Sequence, residues 1–212
     1  MSSHDVYFAA APGAQPPTVD TIARWLGERP RWKVDGGQAE YENPLTGVDL
    51  NATIEADGDA PEGRVPVVVW MSGLRAHHAI EEMAVELEAL VDAFTLVVVD
   101  DRDANTTRRF DRAWLFEEHE KFNRTMHDHR FRYLGSDHDE VLERSRLDEV
   151  IGWNRKRDEL ASAIGEEVFV PQILFYEQAG SVGTFVAWAD GLAARVPRVD
   201  AIQTTRAFVP WS

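Results

Sequence analysis

The segment HDHRFRYLGSDHD, residues 127–139, is the densest group of potential metal ligands in the sequence. Imidazole and carboxylate groups can together hold Zn²⁺, Mn²⁺ or Fe²⁺, and the candidates here are His127, His129, Asp137 and His138. His127 and His129 could converge on one ion if this part of the chain is extended. The spacing matches no established metal pattern, and neighbouring arginines would oppose a cation. A polar loop is therefore favoured, and a metal-dependent hydrolase is the alternative.

Three carboxylates in VVVDDRD, residues 97–103, form a second acidic candidate: Asp100, Asp101 and Asp103. Carboxylates at the carboxyl end of a strand can hold Mg²⁺ for phosphoryl chemistry. The sequence has no glycine-rich phosphate-binding loop beside them, and Arg102 lies among them. A salt-bridged loop is therefore favoured, and the same hydrolase alternative could use this cluster.

Two weaker patterns surround the predicted start of a helix. His77 and Glu81, or His78 and Glu82, are four residues apart, so each pair could share a helix face and bind a metal ion. The order of these residues does not match the HExxH pattern of metalloproteases. Ser72 lacks the two glycines of a G-x-S-x-G nucleophile elbow. Neither pattern predicts catalysis.

Strands and helices must alternate to position these residues. Hydrophobic periodicity and turn residues predict strands near 6–12, 32–34, 38–42, 48–55, 64–73 and 95–101, and helices over 18–28 and 76–94. The helix over 76–94 has the clearest apolar stripe, which includes Met83, Leu87 and Leu90. The order favours an α+β fold with a mixed, mostly antiparallel sheet, a ferredoxin-like or related sandwich, and with helices packed on one face.

The second half of the chain is predicted to extend this core. It has two charged helical segments, near 105–129 and 140–164, and extended runs over 168–177, 181–190 and 199–209. The letters QAG between the first two runs indicate a β-hairpin. The sequence therefore predicts one domain over 1–212, with a core in 1–104 and an extension in 105–212 that could also form a subdomain.

The stretch YENPLTGVDL, residues 41–50, looks like a motif between two extended runs. Pro44 has a fixed φ and Gly47 can adopt a positive φ, which is typical of a type I turn closed by a left-handed glycine. Asn43 can hydrogen-bond to the backbone of the same turn. A structural turn is therefore predicted, and a ligand-binding loop is the alternative.

The overall charge defines the expected partners. The chain of 212 residues has a formal net charge of −15 and no cysteine, which excludes disulfides and thiolate metal sites. Such a field repels nucleic acid and anionic membranes and attracts a basic protein, although acidity also serves solubility or a saline cytoplasm. No signal peptide is recognised, and no apolar run approaches the about 20 residues that span a bilayer. A cytoplasmic protein without a cofactor is expected.

Two features are candidate binding groups. Glu82, Glu86 and Glu88 lie on the predicted polar face of the helix over 76–94, where they could steer a basic partner. Trp211 is expected to be exposed or at an interface, since aromatic residues are enriched at binding hot spots. Both features favour protein binding over catalysis.

Two stretches carry a resemblance to a known group of proteins. YENPLTGV and the later VFVPQILFYEQAGSVGTFVAWADGLAARVPRVDAIQTTR resemble small uncharacterised bacterial proteins grouped with immunity proteins of polymorphic toxin systems. Such proteins are typically acidic, cytoplasmic, non-enzymatic α+β domains that bind and block one cognate toxin. The resemblance covers about a quarter of the chain and includes no catalytic motif. It implies an immunity-type inhibitor, or another complex subunit, and assigns no functional residue.

Overall fold

A computed structural model describes residues 3–56, 63–73, 75–99, 106–134, 142–165, 167–178, 181–188, 192–204 and 208–210. The chain divides into two compact units, Met1–Gly135 and Ser136–Ser212. The division follows residue 135 rather than 104, since the helix after 104 contacts a helix of the first unit. Helices and a large, mostly antiparallel sheet confirm the predicted α+β class.

The first unit combines a seven-stranded sheet with three described helices. Its elements are β1 Ser3–Ala10, α1 Val19–Gly27, β2 Trp32–Asp35, β3 Gln38–Asn43, β4 Val48–Ile54, β5 Val67–Ser72, α2 His77–Phe94, β6 Leu96–Val99, β7 Thr107–Arg108 and α3 Arg112–Leu134. The strand order is β2-β3-β4-β5-β1-β6-β7, and neighbouring strands are antiparallel. Four strands, β2 to β5, lie between α1 and α2, whereas a ferredoxin-like fold has two strands there.

Alternation in β4 separates the two faces of this sheet. Val48, Leu50, Ala52 and Ile54 are buried, whereas the residues between them are half-buried. This pattern confirms the predicted strand with one face toward the core.

Helices α1 and α2 pack on the buried face of the sheet. Ile22 and Leu26 of α1 and Leu87 of α2 belong to one core cluster with the sheet residues. The rings of Trp25 and Phe94 join the two helices, with centroids 5.6 Å apart. The prediction that helices share one face of the sheet is confirmed.

The NPLTG segment forms the predicted turn between β3 and β4. The backbone N–H groups of Thr46 and Gly47 donate to the carbonyl of Asn43, at 3.2 and 2.8 Å. Gly47 has a φ of 70°, and the side-chain Oδ1 of Asn43 accepts a hydrogen bond from the N–H of Leu45. The turn thus uses both the glycine and the asparagine that the sequence singles out.

We expect Gly47→Val to destabilise the protein by about 1–2 kcal/mol, because a β-branched residue is strained at positive φ. A new Cβ would have open space around it, so the cost comes from the backbone alone. Gly47→Asn is the control, since asparagine tolerates this conformation better. Urea denaturation measures both, and a valine variant as stable as the wild type would contradict the turn assignment.

The second unit packs one helix with short sheets. Its elements are α4 Arg144–Ile164, β8 Val168–Phe169, β9 Ile173–Gln178, β10 Ser181–Ala187, β11 Ala193–Ala194, β12 Ala201–Gln203 and β13 Phe208–Pro210. The main sheet has the order β13-β12-β10-β9. Strands β9 and β10 form the predicted hairpin, while β10 and β12 are parallel. The small core includes Val150 of α4 and Val186 of β10.

Polar side chains of α4 fix the helix to the start of β9. The amide of Asn154 binds both backbone groups of Ile173: its Nδ2 donates to the carbonyl at 3.0 Å, and its Oδ1 accepts from the N–H at 2.9 Å. The indole Nε1 of Trp153 donates to the carbonyl of Pro171 at 2.8 Å. These bonds satisfy polar groups that would otherwise be costly to bury.

Candidate binding surface

The sheet face opposite α1 and α2 combines aromatic and acidic side chains. Residues directly opposite one another in antiparallel strands project to the same face. The register therefore aligns Asp5, Trp70, Asn51 and Glu40 in one row across β1, β5, β4 and β3. We name this surface the acidic-aromatic face, and its members are Asp5, Tyr7, Glu40, Glu42, Asp49 and Trp70.

Aromatic rings lie near the middle of this face and carboxylates around them. Trp70 is half-buried, whereas Asp5, Glu40 and Glu42 are exposed. Within the described part of the chain, no cation forms an ion pair with Glu40 or Glu42, although Lys33 lies opposite Glu40 in the register. These carboxylates are therefore available to pair with a cationic group that lies outside the described residues.

Two arginines of the chain already bind to this face. The Nη2 of Arg75 donates to both carboxylate oxygens of Asp49, at 2.6 and 2.9 Å. The guanidinium of Arg64 lies 4.2 Å from the centroid of the Tyr7 ring, a cation–π distance. The face thus has the two kinds of group, carboxylate and aromatic ring, that hold guanidinium ions.

The expectation that Glu82 and Glu86 are exposed acids of α2 is wrong. Glu82 Oε2 accepts hydrogen bonds from Tyr41 Oη at 3.0 Å and from Asn43 Nδ2 at 2.8 Å. Burial raises the pKa of Tyr41; a hydrogen bond from Arg31 partly offsets this, and Glu82 adds to the rise. The phenol therefore stays protonated and donates to Glu82 at neutral pH.

Glu86 is held in the same way, closer to α1. Its Oε2 accepts from the indole Nε1 of Trp32 at 2.8 Å and from the Nε of Arg29 at 2.9 Å. The side chain of Glu86 is only 13% exposed. Glu82 and Glu86 thus join α2 to the β2–β4 region, since a helix face rich in glutamate here meets polar groups of the sheet edge rather than water.

The other two predicted binding residues have different positions. Glu88 is 43% exposed and forms an ion pair with Arg112 of α3. Trp211 lies outside the described residues. A binding role for each stays a prediction.

The predicted histidine cluster does not have the extended backbone that would let it converge. His127 and His129 lie within α3, and positions two apart on a helix do not share a face. Asp137 and His138 lie outside the described residues. Among the described residues, no group of three or more potential ligands could hold a metal ion.

The remaining catalytic candidates lie in β5, at the start of α2 or outside the described ranges. Ser72 lies within β5 opposite Ser3, in extended backbone rather than at a sharp turn. His77 and His78 begin α2. The acidic cluster after β6 lies outside the described residues: Asp100, Asp101 and Asp103.

Sequence reasoning missed a pair of stacked histidines between β1 and α3. The rings of His4 and His119 have centroids 5.8 Å apart and an interplanar angle of 16°. Both are buried, and His119 Nε2 lies 3.3 Å from the carbonyl of Arg75 and 3.0 Å from the amide of Asn123. Burial lowers the pKa of His119, while the backbone contact opposes this. The alternation His4, Val6, Phe8 is the one sequence signal that places His4 on the core face.

We expect the first unit to lose stability as the pH falls below about 6.5, the ordinary pKa of histidine. With the folded-state pKa of His119 lowered, the unfolded chain binds a proton in a range where the folded protein does not, so stability falls with pH. Urea midpoints measured between pH 8 and pH 5 test this. In His119→Gln, the urea midpoint should change less with pH than in the wild type. If the urea midpoint of that variant changes with pH as much as that of the wild type, groups other than His119 cause the pH dependence of stability.

Known protein families, curated proteins and solved structures give no match to this chain.

Proposed function

We propose that the protein is a non-enzymatic binding protein whose acidic-aromatic face takes a basic protein partner. The observation that carries the proposal is that this face already holds the chain's own Arg64 and Arg75, on an aromatic ring and a carboxylate. Beside them, Glu40, Glu42 and Trp70 offer the same chemistry to another molecule. Arginine-rich contacts to carboxylate and aromatic groups are common in protein interfaces.

The net charge of −15 supports the same class of partner. A negative field steers a cationic protein toward the surface and opposes nucleic acid or an anionic lipid surface. No helix of the described residues has the length and hydropathy needed to cross a membrane. The resemblance to immunity proteins makes a toxin-blocking role the most concrete form of the proposal, with another complex subunit as the broader form.

The metal-dependent hydrolase receives less support from the geometry. On the histidine cluster it would need His127 and His129 on one ion, and positions two apart on a helix do not share a face. Its other form, on Asp100, Asp101 and Asp103, lies outside the described residues. Metal analysis of the purified protein addresses this alternative directly. Stoichiometric Zn or Mn that is lost in the His127→Ala/His129→Ala double variant would favour the hydrolase over the binding protein.

Affinity capture from the native cell tests the proposed face. The wild type is compared with Glu40→Lys/Glu42→Lys and with a control of equal charge change, Asp92→Lys/Glu117→Lys, whose exposed residues lie on α2 and α3. We expect a basic protein that the wild type and the control retain and the face variant loses. Equal capture by all three proteins, or retention of an acidic partner, would contradict the proposal.

A further inference from the structure

Strand β9 forms one edge of the main sheet of the second unit. It pairs on one side with β10, in a register that places Leu174 opposite Phe185 and Tyr176 opposite Gly183. The strand order gives it no second neighbour among the described strands. The backbone groups on its other side therefore determine what this edge can bind.

Two hydrogen-bond patterns show which residues face outward. The N–H and carbonyl of Ile173 both bind Asn154 and not β10. On β10, the N–H of Thr184 donates to a carboxylate oxygen of Asp200, and its carbonyl accepts from the N–H of Asp200. The backbone N–H and carbonyl of Thr184 thus point away from β9. Because Phe175 is directly opposite Thr184 in the antiparallel pair, the N–H and carbonyl of Phe175 point away from β10. By the same alternation, the backbone of Glu177 also faces outward.

No described strand pairs with the outward edge, and two of the apolar side chains of β9 are exposed. No hydrogen bond beyond the strand pairing involves the backbone of Phe175. Leu174 is 39% exposed and Phe175 is 44% exposed, and adjacent strand residues project to opposite sheet faces. An apolar edge with unpaired backbone groups is a template for another strand.

We propose that the outer edge of β9 accepts an extended segment of the basic partner as an additional strand. The proposal rests on the proposed function. Asn154 closes the edge at Ile173, so the added strand pairs along Leu174–Gln178, through the N–H and carbonyl groups of Phe175 and Glu177. Apolar residues of the segment contact Phe175 or Leu174, depending on the sheet face.

Charge and area argue for a partner segment rather than a second copy of this chain. Each copy carries a net charge of −15, so two copies repel each other, whereas a cationic segment is attracted. The short stretch Leu174–Gln178 also provides far less area than the ~1,200–2,000 Å² of a stable protein interface. For a segment of a larger partner, strand pairing is instead one contact among several.

A synthetic peptide probes the edge without knowledge of the partner. The probe is a short acetylated peptide of alternating lysine and valine. Its control carries N-methyl groups on two neighbouring central nitrogens, which block both of its edges and leave its charge unchanged. We expect the control to bind at least about tenfold more weakly, because one or two backbone hydrogen bonds are lost. Amide NMR shifts on binding should be centred on Phe175 and Glu177.

A proline variant provides the matching change in the protein. In Phe175→Pro the lost N–H is one that β10 does not use, and proline is tolerated on edge strands. We expect an unchanged melting temperature and a tenfold weaker peptide affinity. Should the variant fail to fold, the methylated peptide on wild-type protein still decides the matter.

The outcomes separate this inference from the proposed function. Equal binding of both peptides would overturn strand addition and leave charge-driven binding intact. A wild-type dimer that Phe175→Pro converts to monomer would overturn the choice of occupant. If only the unmethylated peptide binds at β9, but Glu40→Lys/Glu42→Lys captures the same proteins as the wild type, the edge stands and the acidic-aromatic face fails.

Discussion

Replacement of Leu87 by aspartate is expected to unfold the first unit. The side chain of Leu87 is fully buried in the core between α2 and the sheet. An aspartate there would place an unpaired charge among apolar groups, at a cost above about 4 kcal/mol. Because domains are stable by only about 5–15 kcal/mol, most or all of the stability of this unit would be lost.

Val85 provides the matched control on the same helix. It is 49% exposed, so Val85→Asp should change the free energy of unfolding by less than about 0.5 kcal/mol. Circular dichroism and urea denaturation compare the two variants. A Leu87→Asp protein with the wild-type melting temperature would mean that α2 does not pack as described.

The second large effect is expected from Glu86→Ala. The variant would leave the indole N–H of Trp32 and the guanidinium of Arg29 without their common acceptor. Loss of one partner of a partly buried, charge-assisted network costs about 1–3 kcal/mol. Asp92→Ala, an exposed acid of the same helix, should have almost no effect. Equal urea midpoints for the two variants would show that Glu86 does not fix the segment from Arg29 to Trp32 to α2.

Local patterns in the sequence predict several parts of this fold. The apolar stripe of α2, the alternation in β4 and the NPLTG turn each depend on residues close together in the chain. In the stripe of α2 and in β4, the apolar residues recur at the period of the helix or strand, so they all face the core. These elements could therefore be assigned before the structure.

Long-range polar contacts could not be predicted in the same way. Glu82 and Glu86 have the spacing of a solvent-exposed helix face, but their partners Tyr41 and Trp32 come from strands far earlier in the sequence. Only the path of the β2–β3–β4 meander beside α2 brings these groups together. The stacking of His4 on His119 depends in the same way on where α3 packs.

The acidic-aromatic face is recognised only when the local sequence pattern is combined with the strand register. Alternation in β4 predicts that one side of that strand is polar, which includes Asp49. The register adds Trp70 and Glu40 to the same side, and no periodicity within one strand contains that pairing. The charge of −15 predicts the class of partner but not the surface that binds it.

The most direct test of the account is the association rate of the captured basic partner as a function of salt. The Debye length shrinks from ~10 Å at 0.1 M to ~3 Å at 1 M ionic strength, so attraction by an acidic face should fade over this range. We expect the wild-type on-rate to fall steeply while the off-rate changes less. Glu40→Lys/Glu42→Lys should have a low on-rate with little salt dependence, and Asp92→Lys/Glu117→Lys should behave more like the wild type. An on-rate that salt does not change, or two double variants with the same on-rate, would contradict binding through the acidic-aromatic face.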